Sequence, residues 1–104
     1  MILCRDRLGR IAAGVSSSGW ARGYPGRLGD SAVVGAGCYA DSRLGACGCT
    51  HIGEMTIRCS TARTVVRLMQ EERSLDSALR GGYLGPVVIH CHRRSRQPGR
   101  GGDF

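Results

Sequence analysis

The chain has 104 residues, with 15 basic against 8 acidic side chains (net +7), 17 Gly, 6 Cys and a single Phe. That length allows one small domain with a thin core, and 41% hydrophobic with 22% charged residues is too apolar for a chain disordered throughout. No apolar run approaches the 18 or so residues of a membrane span, and every basic residue is Arg, which reads first as coding bias and only second as anion chemistry.

In chain order, Met1-Ile2-Leu3-Cys4 runs straight into Arg5, Asp6 and Arg7. This is no signal-peptide pattern, so export is not expected and a cytoplasmic location is. Ile2-Leu3-Cys4, the turn Leu8-Gly9-Arg10 and the small and β-branched run Ile11 to Ser17 predict a hairpin. Residues 18 to 30 are Gly-rich, with one Pro, and interleave Trp20 and Tyr24 with Arg22 and Arg27; this predicts a loop of the kind that carries function. Two further apolar runs, Ala32 to Ala40 and Gly45 to Thr50, flank Asp41-Ser42-Arg43 and predict adjacent buried strands.

From Gly53 to Gln70 the period changes. Met55, Cys59, Ala62, Val66 and Met69 recur every three or four residues, opposite Arg58, Arg63 and Arg67, which predicts one amphipathic helix. Ser74 is placed to cap a second helix running to Arg80 and ended by Gly81-Gly82, and Val87-Val88-Ile89 predicts a last strand. Strands, then helices, then a strand imply an α+β packing. Residues 91–104 hold four Arg, three Gly and no aliphatic side chain, so residues 1–90 are expected to form the domain and 91–104 a disordered Arg/Gly-rich tail. The tail reads as a solvated or out-of-frame terminus, or as an arm binding nucleic acid through its guanidinium groups.

The six cysteines mostly lie in apolar runs, where a thiol acts as a small hydrophobe, so reduced and buried thiols are expected. Cys47, Cys49 and His51 alternate along a predicted strand and, with His90, Cys91 and His92, bring soft ligands together. Their spacing is unlike the turn-borne spacing of structural zinc sites, and no metal is expected.

Three motifs follow one another: Gly26-Arg27-Leu28-Gly29-Asp30-Ser31, then Gly35-Ala36-Gly37-Cys38-Tyr39-Ala40-Asp41, then Thr50-His51-Ile52-Gly53-Glu54. In this order the chain resembles, from about Cys4 to Ile89, the β-subunit of the glycosylasparaginase, plant-type L-asparaginase and isoaspartyl aminopeptidase family of N-terminal nucleophile hydrolases. The resemblance implies part of an αββα four-layer sandwich, antiparallel strands with helices outside, and no cofactor. It implies hydrolysis of the side-chain amide of asparagine, of β-aspartyl peptides or of N4-GlcNAc-asparagine. In that family a precursor cuts itself before a Thr, whose hydroxyl then attacks the amide while its free α-amine serves as base.

Residue by residue, the resemblance implies that Arg27 clamps the substrate α-carboxylate with a guanidinium fork, that Asp30 receives the α-ammonium, and that the Gly53 carbonyl helps hold it. Thr50 is matched to an oxyanion-hole hydroxyl and Ser17 to a hydroxyl that bonds the nucleophile. His51 stands in a glycine's place beside the substrate, where a side chain crowds the ligand and a backbone with positive φ would be strained. The nucleophilic Thr would fall two positions before Met1. Thr56, Thr61 and Thr64, inside the predicted helix, cannot replace a terminal Thr whose own amine is the base. No α-subunit is encoded in these residues either, although the family usually assembles as (αβ)2. The expectation is a truncated or mis-started, inactive β-subunit piece. The alternative is a non-catalytic Arg-rich protein that binds nucleic acid or a partner.

Overall fold

The computed structural model describes residues 1–71, 74–82 and 87–93; of His51, residues 81–82 and residues 87–93 only the backbone is described. Strands β1 (Ile2–Arg5) and β2 (Ile11–Gly14) form the expected antiparallel hairpin, with Ile2 opposite Gly14 and Arg5 opposite Ile11. Asp6 closes the turn: its Oδ1 accepts the backbone N–H groups of Leu8 (2.9 Å) and Arg10 (2.8 Å), which the strand ladder leaves over. The hairpin is tied to the rest through Ile11, whose N–H donates to Ser42 Oγ at 3.0 Å.

Strands β3 (Cys38–Asp41), β4 (Gly45–His51) and β5 (Val87–Arg93) form one antiparallel sheet with β4 at its centre. β4 is buried from Gly45 to Cys49, which is why it reads as an unbroken run of small apolar residues rather than an alternating one. Its two thiols at i and i+2, Cys47 and Cys49, point to one face and pack with Ala62, Val65, Val66, Met69 and Ala78. On the other face the Met1 thioether lies where a Gly48 side chain would stand.

The helices cover the first face. The predicted single helix over 53–70 is instead two, α1 (Gly53–Cys59) and α2 (Thr61–Glu71), separated by Ser60 in the left-handed region at φ 46°. No Gly or Pro marks that break. Its cause is tertiary: the first N–H groups of α2 turn to a neighbouring loop, Ala62 donating to Ala36 O (3.3 Å) and Arg63 to Gly35 O (2.9 Å). The apolar stripe survives the break, with Ala62, Val65, Val66 and Met69 buried and Met55 and Cys59 partly so. Burying a Val or Met side chain contributes about 1.5–3 kcal/mol, so this layer is the main source of stability.

The loop that receives α2 occupies what the sequence suggested was the start of a strand. Residues 32–37 form no continuous strand: a 3₁₀ turn (Asp30–Ala32) and the extended Val33 precede a turn in which Gly35 has φ +95°, and β3 begins only at Cys38. Helix α3 (Leu75–Gly82) starts as expected, Ser74 Oγ accepting the Ser77 N–H at 3.1 Å, but it absorbs Gly81 and Gly82 instead of ending before them. β5 pairs with β4 through Arg93, four residues beyond the expected Val87-Val88-Ile89. Residues 94–104, most of the expected tail, lie outside the described residues.

None of the five described cysteines is in a disulfide; Cys47 and Cys49 are buried as expected, whereas Cys4 is exposed and Cys38 and Cys59 are partly so. Cys4 sits on the short two-stranded hairpin, which has too little cover to bury it. No group of three or more metal-ligating side chains converges among the described residues, and no described helix is long and apolar enough to cross a membrane.

Candidate active site

A cavity of about 570 Å³ opens where the end of the β1–β2 hairpin, the Gly-rich loop, the 3₁₀ turn and the end of β4 meet. Its wall includes Ser17, Trp20, Arg27, Asp30, Thr50 and Gly53. Five of the six residues singled out in the sequence therefore line one space, although they come from five separate segments.

Local backbone chemistry positions each of them. Ser17 follows β2 in an exposed stretch, its Oγ accepting the Gly19 N–H at 3.1 Å. Arg27 is reached by a turn in which its N–H donates to Tyr24 O at 2.9 Å, and Gly19 and Gly29 give its guanidinium room: a Cβ on either would stand 3.2 or 3.3 Å from an Arg27 terminal nitrogen. Asp30 opens the 3₁₀ turn. Its carbonyl accepts the Val33 N–H at 2.9 Å and the Gly37 N–H at 3.2 Å, so its main chain is locked to the start of β3. Gly37 in turn accepts the Cys49 N–H at 2.8 Å, which ties the Asp30 turn to β4.

Thr50 is exposed near the end of β4 and is among the residues that line the cavity. His51 closes β4 opposite Val87, in extended backbone, so a side chain there meets no positive-φ strain; its side chain is outside the description. Gly53 opens α1 and is buried against Asp30; a Cβ there would lie 3.2 Å from the Asp30 nitrogen and 3.4 Å from Asp30 Oδ1. A side chain at 53 would push the carboxylate away.

Two partners were not among the residues the sequence pointed to. The Arg27 guanidinium is ion-paired with Glu54, whose carboxyl is held below its ordinary value chiefly by that hydrogen bond. Thr56, fully buried on α1, has its hydroxyl 3.0 Å from Asp30 Oδ2 and 2.8 Å from Gly53 O. The signal for Glu54 was its opposite charge next to Gly53; the signal for Thr56 was a hydroxyl on the buried side of a helix, which more often bonds its own backbone. The Cys49 thiol also lines the cavity, and its hydrogen bond with Cys47 lowers its pKa against the opposing effects of burial and of the Asp30 charge.

Chemically, the wall of the cavity combines a guanidinium-bearing residue, a carboxylate-bearing residue and two hydroxyl-bearing residues, Ser17 and Thr50. That is the complement of a small zwitterion carrying a second polar group.

The asparaginase family model matches residues 2–83. The chain is 44% identical over 68 residues to the isoaspartyl peptidase of Salmonella typhimurium, covering 65% of this chain and 22% of that protein. It is 34% identical over 97 residues to the isoaspartyl peptidase/L-asparaginase of Bos taurus (93% and 29%) and 35% identical over 77 residues to the N(4)-(β-N-acetylglucosaminyl)-L-asparaginase of Elizabethkingia miricola (74% and 23%). It thus spans less than a third of the length of these curated relatives.

Proposed function

The chain belongs to the asparaginase family, and on that premise we propose that it is the aspartyl-binding part of an amidohydrolase β-subunit, inactive by itself. The observation that carries this reading is the convergence of Ser17, Arg27, Asp30, Thr50 and Gly53 on one cavity from distant parts of the chain. In this reading Arg27 binds the substrate α-carboxylate through two parallel N–H donors, while Asp30 and the Gly53 carbonyl receive the α-ammonium. These two anchors hold the aspartyl unit so that its side-chain amide points toward Thr50 and Ser17.

The Thr50 hydroxyl then donates to the oxygen that becomes negative as the amide carbonyl turns tetrahedral, a contact strongest in the transition state. Ser17 holds the attacking hydroxyl. That hydroxyl and the amine that takes its proton belong to the Thr expected two positions before Met1, and the leaving-group side belongs to elements supplied by an α-subunit, in an (αβ)2 assembly with an αββα layering. The β-subunit portion runs through the end of β5 at Arg93, three residues beyond the expected boundary at 90, and the tail outside it is 94–104, in a protein of the cytoplasm. His51 borders the ligand in place of a glycine. Arg27 and Asp30 read only the aspartyl end, so asparagine, β-aspartyl peptides and GlcNAc-asparagine share this anchor.

Two-dimensional NMR with L-aspartate, the common product, tests the reading. L-Aspartate is expected to shift the amide signals of Arg27, Asp30 and Gly53, while incubation with L-asparagine, a β-aspartyl dipeptide or GlcNAc-asparagine releases no aspartate. Turnover by the unmodified chain would refute its inactivity, and no response to L-aspartate would refute the site.

A further inference from the structure

We propose that Thr56 is a positioning residue of the aspartyl site, one that sets its preference for a ligand bearing an ammonium group; the proposal rests on the functional reading above. Thr56 is fully buried, and its hydroxyl lies within hydrogen-bond distance of two acceptors at once, Asp30 Oδ2 at 3.0 Å and Gly53 O at 2.8 Å. A hydroxyl has one proton. It satisfies one of these oxygens and leaves the other facing an oxygen lone pair.

The ordinary role of a threonine inside a helix is a bond back to the carbonyl three or four residues earlier, and the contact with Gly53 O is of that type. The contact with Asp30 is not. It crosses 26 residues of sequence and joins α1 to the 3₁₀ turn that carries the carboxylate into the cavity. It is the hydrogen bond from α1 that holds Oδ2 beside the Gly53 carbonyl. With it, a carboxylate oxygen and a carbonyl oxygen stand on either side of a single hydroxyl.

A primary ammonium suits such a pair of acceptors, with three N–H donors and a positive charge beside a carboxylate. A ligand of the same shape without nitrogen supplies neither. Thr56 therefore acts on the ligand through Asp30 and Gly53, and touches it at no point the mechanism requires. A purely structural threonine would change stability and leave the ratio of affinities for charged and uncharged ligands where it was.

The test compares L-aspartate with succinate, which keeps both carboxylates and lacks the amine, by calorimetry or NMR titration of the full chain and its Thr56→Ser and Thr56→Val variants. The unmodified chain and Thr56→Ser are expected to prefer L-aspartate; Thr56→Val is expected to lose about tenfold in L-aspartate affinity with succinate affinity within about twofold. If Thr56→Val does not fold, Thr56→Cys, similar in size with a far weaker donor, gives the same comparison. A retained L-aspartate preference in the variant that lacks the donor overturns the role of Thr56 and leaves the functional reading standing. An unmodified chain that binds L-aspartate no better than succinate overturns both.

Discussion

The Arg27 guanidinium, one wall of the cavity, is already joined to a carboxylate of the protein, that of Glu54, 27 residues further along the chain. Glu54 is mostly solvent-exposed, at 63% of its side chain, while Arg27 is 26% exposed. The residue proposed to bind a ligand carboxylate is thus held by a resident one, so in that reading a ligand would bind by exchange.

Exchange gives a prediction for Glu54→Gln. Removing the competing charge should tighten binding of L-aspartate and of succinate alike, by roughly twofold to fivefold, because an exposed pair holds its partner only loosely. Titration of the variant with both ligands checks it; weaker binding of both would mean that Glu54 orients the fork more than it competes for it. The pH dependence has a definite sign. Arg27 holds the Glu54 carboxyl below its ordinary 4.5, so the pair is present above that value and is lost as pH falls through the lower folded one.

Gly37 links the Asp30 turn to β4, and a Cβ there would lie 2.6 Å from Asp30 O and 2.8 Å from its carbonyl carbon, both backbone atoms that cannot swing aside. Gly37→Ala should destabilise the fold by about 1–3 kcal/mol and weaken L-aspartate binding together with it. Urea unfolding and a ligand titration of the same sample measure the two effects; loss of neither would mean that the turn adjusts freely.

Met69 is 2% exposed where α2 meets β4 and α3. Its truncation in Met69→Ala removes a thioether and leaves a void that close-packed Val65, Val66 and Cys47 fill only in part. A loss of about 2–5 kcal/mol in unfolding free energy is expected. For a domain this small that is much of its stability, and thermal unfolding followed by circular dichroism would show it.

Asp41 ends β3 and closes the turn into β4, its Oδ1 accepting the Arg43 N–H at 2.9 Å and its Oδ2 an Arg43 terminal nitrogen at 2.8 Å. These bonds lower its pKa from 3.8 to about 2. A depressed carboxylate stabilises the fold above its unfolded value and loses that contribution as pH falls through the folded one. Asp41→Asn should therefore cost about 1 kcal/mol at neutral pH, a figure reduced by the exposure of Arg43, with the gap between the two proteins closing between about pH 4 and pH 2. Acid titration of both by circular dichroism measures it.

The sequence by itself determined the hairpin, the apolar stripe from Met55 to Met69 and the Ser74 cap, because each is encoded by neighbours or by short-period patterns; Ser17, Arg27, Asp30, Thr50 and Gly53 were singled out by the family resemblance, and their meeting in one cavity belongs to the tertiary structure. The ordered motifs around Arg27, Gly37 and Thr50 carried the family for the same reason. Only the tertiary structure decided that the stripe is broken at Ser60, since the break follows from N–H groups of Ala62 and Arg63 finding carbonyls in the 35–36 loop. Likewise, nothing local to Thr56 or Glu54 reports that they face Asp30 and Arg27, 26 and 27 residues away. Local patterns record which face of an element is buried; which polar group meets which is set when the elements pack, because a hydrogen bond depends on the position of its distant partner to within a few tenths of an ångström.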